Sequence, residues 1–136
     1  ITGILDRAEW CAREDMKLIL QPVTKAEILR YWLVNNDFVI KSEAQVKENG
    51  TVYQIICAVP GRDCKYMDAE LFIGRYELIK NSPFFDNLLS KHIKRFASTV
   101  DGLKTTDREE LLPWLGLVEN ILNELKMMRE WKNENR

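Results

Sequence analysis

Asn49-Gly50, set between two runs of strand-forming residues, constrains this chain more tightly than any other pair in it. Asn-Gly is the strongest short-range signal for a two-residue turn with positive φ at both positions, the kind that joins antiparallel strands. The run before it, Phe38 to Lys47, alternates loosely. The run after it, Thr51 to Val59, is rich in β-branched residues and stops at Pro60-Gly61. A hairpin is therefore expected here, and whatever lies on either side must pack against it.

Upstream, Met16 to Leu20 is a short apolar run ended by Gln21-Pro22. Its length and continuity suit a buried parallel strand. Thr24, with Glu27 three residues on, has the spacing of a capping box and predicts a helix over 25–35. Ile28, Leu29, Trp32 and Leu33 form its apolar face, and Asn35-Asn36-Asp37 ends it, because Asn tolerates the left-handed conformation. Ile1, Ile4, Leu5 and Ala8 predict a further short helix over 1–13.

The pattern changes downstream. Residues 61–70 are polar and loop-like, and 71–80 are ambiguous between a short helix and an extended segment. Ser82-Pro83 predicts a helix start, with Phe85, Leu89, His92 and Phe96 at four-three-four spacing. Asp101-Gly102 is expected to weaken or end it. Thr106 and Glu109 suggest a second capped helix, in which Leu111, Leu115, Val118, Leu122 and Leu125 make a coiled-coil-like seam. Pro113 lies early in it, and Lys132 to Arg136 are expected to fray. Two such helices with a short connection predict an antiparallel helical hairpin. The chain divides near residue 80, with an α/β part over 1–80 and a helical hairpin over 81–136.

Composition narrows the function classes. The 136 residues are 46% hydrophobic, enough for one packed domain, and no apolar run reaches membrane-span length. A net charge of −1 excludes a polybasic nucleic-acid binder but not a local basic face. Residues 81–105 carry four basic side chains, Lys91, Lys94, Arg95 and Lys104, against Asp86 and Asp101, whereas 106–136 carry five basic against seven acidic. Cys11, Cys57, Cys64 and the single His92 make no metal-ligand set, and unpaired thiols fit a reduced, cytoplasmic setting. There is no P-loop, nucleophile elbow or Gly-x-Gly-x-x-Gly. A start at Ile1 rather than Met is expected of a processed product or of a piece of a longer chain.

Three motifs together carry a resemblance. They are Leu18-Ile19-Leu20-Gln21-Pro22, then Leu29-Arg30-x-Trp32-Leu33, then Glu48-Asn49-Gly50-x-x-Tyr53-Gln54-Ile55-Ile56-x-Ala58. In this order they resemble a bacterial tRNA methyltransferase family that methylates N1 of the adenine at position 22 of tRNA with S-adenosylmethionine. The likeness extends loosely through Ile73-Gly74 and from Asn81 to Phe96, and the second long helix matches only in character. Val23 stands where the family has Asn, which removes a polar side chain.

The resemblance implies an α/β fold: the last strands of a Rossmann-like class I methyltransferase sheet ending in an antiparallel hairpin, followed by an antiparallel helical hairpin. It implies that S-adenosylmethionine is bound by an N-terminal half that this chain lacks, so no cofactor-binding residue is expected here. The fragment alone would then be inactive, and its exposed sheet edge would favour dimerisation or a swap. Adenine N1 has its own lone pair, so catalysis would rest on positioning and on stabilising the charge that develops on the ring. Gln21, past a strand's carboxyl end, is placed to accept from the adenine N6 amino group, or it simply turns the chain. The candidate RNA contacts are Arg30, Tyr53, Lys80, Lys91, Lys94, Arg95 and Lys104. Arg30 is equally suited to a structural pair with Glu27 or Asp37. Tyr53 either stacks on a base or packs. Trp32 and His92 read as packed residues. The competing reading is a non-catalytic interaction module that self-associates through the helical hairpin.

Overall fold

The structure, a computed structural model, describes residues 17–22 and 24–135. The helix expected over 1–13, together with Met16 and Val23, lies outside the described residues. Strand β1 (Leu18–Leu20) is followed by helix α1 (Ala26–Asn35) and the strands β2 (Phe38–Glu48) and β3 (Thr51–Pro60). The short helices α2 (Asp68–Ile73) and α3 (Tyr76–Ile79) come next. The long helix α4 (Phe85–Lys104) leads through a 3-10 turn (Glu109–Leu111) into the long helix α5 (Leu112–Glu134). The chain forms two compact units. One runs through Tyr66 and takes in Glu70–Ser82; the other holds Met67–Ala69 and the residues from Pro83 onward.

In the first unit the sheet order is β1-β3-β2. Asn49 (φ 52) and Gly50 (φ 81) form the expected turn, and the ladder begins at Glu48↔Thr51. β1 pairs antiparallel with β3, Leu18 opposite Ala58 and Leu20 opposite Ile56. This corrects the parallel expectation for Met16 to Leu20. The hairpin's return strand lies between β1 and β2, so β1 meets an antiparallel neighbour. Leu18 and Leu20 are buried while Ile19 is 71% exposed, the alternation of a strand covered on one face.

The register slips by one residue between Ile40 and Ser42. A bulge of this kind reverses which side chains face inward. Phe38 and Ile40 are buried before it and Glu43 after it, so a carboxylate enters the core face. That face packs on α1 through Leu29, Leu33, Ile56, Ala58 and Tyr66.

The capping predictions fail locally. α1 starts after Lys25, which is left-handed (φ 54), and no side chain caps it. Thr24 is then one residue too early, and Glu27 falls at the second helical position rather than the third, so no capping box closes. At the other end Asp37, not Asn, takes positive φ (59). Its carbonyl accepts from Gly61 N at 2.8 Å. The ambiguous 71–80 stretch resolves into two helical turns broken at Gly74. Gly74 has φ +109, and a Cβ there would sit 3.0–3.1 Å from the Glu43 carboxylate oxygens.

In the second unit α4 begins at Phe85, so Ser82 and Pro83 lie before it rather than at its cap and first turn. It runs through Asp101-Gly102 to Lys104. The 3-10 turn replaces the capped start expected at Thr106, and Pro113 occupies the opening of α5. The helix ends at Glu134, within the Lys132 to Arg136 stretch expected to fray. α4 and α5 pack on one another. The buried positions are Phe85, Leu88, Leu89, Phe96 and Val100 on α4 and Ile121, Leu122, Leu125 and Met128 on α5.

Candidate nucleic-acid interface

The candidate residues fall into two groups with different fates. Arg30 is the clearest correction. It was expected to meet phosphate or to pair with Glu27 or Asp37, but it is 0% exposed. Its Nη2 donates to Glu43 Oε1 at 2.7 Å and its Nε to Glu43 Oε2 at 3.1 Å. Nη2 also donates to Gln54 Oε1. Nη1 donates to the carbonyls of Leu71 and Phe72 at 2.8 and 2.9 Å. All five guanidinium N–H groups are engaged inside the fold, so none is left for phosphate. The sequence reading missed Glu43 and Gln54 because the bulge hides the inward direction of Glu43. The face that α1 buries is Leu29, Arg30 and Leu33, turned from the expected Ile28–Leu33 stripe, and a buried arginine needs a buried carboxylate to answer it.

Tyr53 is half-buried on β3, opposite Val46. Trp32 packs against the core, its ring 5.9 Å from that of Phe38. Lys80 Nζ donates to Glu77 Oε2 at 2.8 Å, and that contact raises the lysine's pKa above its usual value. Gln21 is exposed immediately after β1, in the turn leading to α1. Doubly wound sheets bind ligands at such carboxyl ends. That turn contains no glycine.

The second group lies on α4. Lys91, Lys94 and Arg95 are exposed and, by helical spacing, share one side of the helix with Asn87 and Ser98. Asp101 lies at the Lys94 edge of that side, two turns along the helix, and Asp86 lies well off it. Among the described residues no ion pair engages these three cations. The Arg95 guanidinium lies 5.3 Å from the centre of the Phe96 ring, a cation–π contact. Lys104 is exposed in the last turn of α4. His92 is half-buried, its ring 6.5 Å from that of Phe96. Among the described residues no His, Cys, Asp or Glu cluster could hold a metal ion. No described helix is long and apolar enough to cross a membrane.

The model of the tRNA (adenine(22)-N(1))-methyltransferase family matches residues 1–126. The chain belongs to this family.

Solved structures agree in fold with this methyltransferase family. The B. subtilis m1A22 tRNA methyltransferase TrmK superposes with a TM-score of 0.77 at 21% identity, over 93% of this chain and 57% of its own. A Streptococcus agalactiae protein of the NADB-Rossmann superfamily matches with a TM-score of 0.64 at 21% identity, over 93% and 53%. M. capricolum TrmK, in complex with the natural cofactor product S-adenosyl-homocysteine, matches with 0.57 at 18% identity, over 88% and 50%. The chain thus spans about half the length of each of these relatives. No curated protein sequence matches it.

Proposed function

We propose that this chain is the C-terminal portion of an S-adenosylmethionine-dependent tRNA adenine-N1 methyltransferase. The observation that carries the reading is the family match over residues 1–126. The cofactor is bound by residues outside this chain. The chain supplies the end of the catalytic sheet and a helical surface that contacts tRNA. Gln21 orients the target adenine by accepting from its N6 amino group, and methyl transfer needs no general base because adenine N1 carries its own lone pair. Lys91, Lys94 and Arg95, with Lys104 beyond them, meet the phosphate backbone. Their clustering on one side of α4 without carboxylate partners supports this, since phosphate affinity follows local charge. The fragment alone transfers no methyl group.

A second reading, self-association through the helical unit, draws on one observation. Leu112, Trp114 and Leu117 at the start of α5 are 58%, 59% and 41% exposed. Titrating the chain with tRNA at several salt concentrations separates the two. Affinity that falls steeply with salt supports the methyltransferase reading. Salt-insensitive self-association without tRNA binding supports the other.

A further inference from the structure

In the first unit, a cavity of about 250 Å³ opens between the first turns of α1 and the last turn of α2, lined by Glu27, Ile28, Tyr31, Leu71 and Phe72. One wall is Ile28 and Tyr31, which are 48% and 61% exposed. The other wall is Leu71 and Phe72, whose carbonyls are the two that Arg30 Nη1 holds. Arg30 itself belongs to α1, so one buried guanidinium ties the two walls together and the cavity is formed in advance. Glu27 is the one charged residue of the lining.

We propose that this cavity receives an unstacked nucleobase of the bound tRNA, a neighbour of the one that is methylated; the inference rests on the tRNA reading above. The walls are apolar and include two aromatic rings, the surface on which splayed RNA bases stack. No cation lines them, so a phosphate is excluded from the interior and a neutral planar ring is accepted. A cation for the backbone is adjacent to the Ile28 wall, because the Lys25 carbonyl accepts from Ile28 N at 3.0 Å. Lys25 is exposed and immediately precedes α1, whose N-terminus has no side-chain cap. A base with an apolar face inside and a phosphate at that edge matches the arrangement better than an aromatic side chain of a protein partner, which brings no anion. The location also fits, because α1 begins one short turn after Gln21, at the carboxyl end of β1. A flanking nucleotide would be held there while the target base is drawn toward the sheet.

The test is a titration of the whole chain with an unmodified tRNA transcript, reading the methyl NMR signals of Ile28 and Leu71 together with affinity. Tyr31→Ala and Tyr31→Phe are compared with the parent, each checked by far-ultraviolet circular dichroism. The expected result is an upfield shift of both methyl signals on binding, a loss of affinity of about tenfold for Tyr31→Ala, and near-parental affinity for Tyr31→Phe, which keeps the stacking face. If tRNA binds but the two signals stay still and Tyr31→Ala binds like the parent, the cavity assignment is overturned and the tRNA reading stands. If the parent binds no tRNA, both fall. Signals that move with protein concentration in the absence of RNA would make the cavity a contact between copies and overturn the proposal.

Discussion

Arg30 on α1 and Glu43 on β2 form a two-point ion pair, 2.7 and 3.1 Å, with both side chains fully buried. The pair exists because a bulge between Ile40 and Ser42 turns Glu43 inward. It anchors more than itself, since the same guanidinium holds Gln54 and the last turn of α2.

Removing one partner strands the other charge in the core. Arg30→Ala is expected to destabilise the protein by about 3–5 kcal/mol, because an unpaired buried charge is strongly unfavourable. Arg30→Lys should also be destabilising, since one ammonium cannot replace five donors in a planar fork. Replacing Arg30 and Glu43 together by Met and Leu should be far milder than the sum of the single changes. Urea unfolding of the parent, Arg30→Ala, Arg30→Lys, Arg30→Met, Glu43→Leu and the Arg30→Met/Glu43→Leu double variant checks all three expectations, the parent and the last three forming the double-mutant cycle.

Gly74 faces the same carboxylate. Its φ of +109 and the 3.0 Å approach of Glu43 Oε1 leave no room for a Cβ. Gly74→Ala should destabilise by about 1–3 kcal/mol through backbone strain and the displaced carboxylate. Gly102→Ala, in an exposed helical turn with nothing within 4 Å, should stabilise by up to about 1 kcal/mol. Thermal melts of the two variants should therefore move in opposite directions.

Tyr66 gives the pH dependence its sign. Burial, with Asp63 and Glu43 nearby, pushes its phenol well above the ordinary 10.0. The folded protein keeps the phenol neutral while the unfolded chain ionises it. The stabilisation is thus complete below pH 10 and falls as pH rises above that value. Urea midpoints at pH 8 and pH 11 should differ less for Tyr66→Phe than for the parent, with the two proteins similar at pH 8. An equal drop in both would contradict the assignment.

The sequence resolved some of this architecture and concealed the rest for definite physical reasons. The Asn49-Gly50 turn and the extent of β3 were legible because turn chemistry is local. Helix α1 was placed to within one residue, but its caps were not, because Lys25 takes a left-handed conformation that nothing in its side chain signals. β1 was read with the wrong partner direction, since an apolar run does not record which strand lies beside it. The role of Arg30 was hidden for a related reason. Whether Glu43 points inward depends on one extra residue in β2, and a loosely alternating run does not mark where that residue falls. The cations of α4 were legible from the charge count over 81–105, and their exposure follows because a solvated face takes the positions that the apolar stripe leaves over.

If the side of α4 bearing Lys91, Lys94 and Arg95 meets the tRNA backbone, as proposed, these cations must set part of the salt dependence of tRNA binding. The three cations changed together to Ala should weaken binding, reduce the slope of log affinity against log salt by about 3, and leave the melting of the helical unit unchanged. A triple variant that folds normally and binds tRNA with the parental affinity and slope would show that this side of α4 does not meet the tRNA backbone.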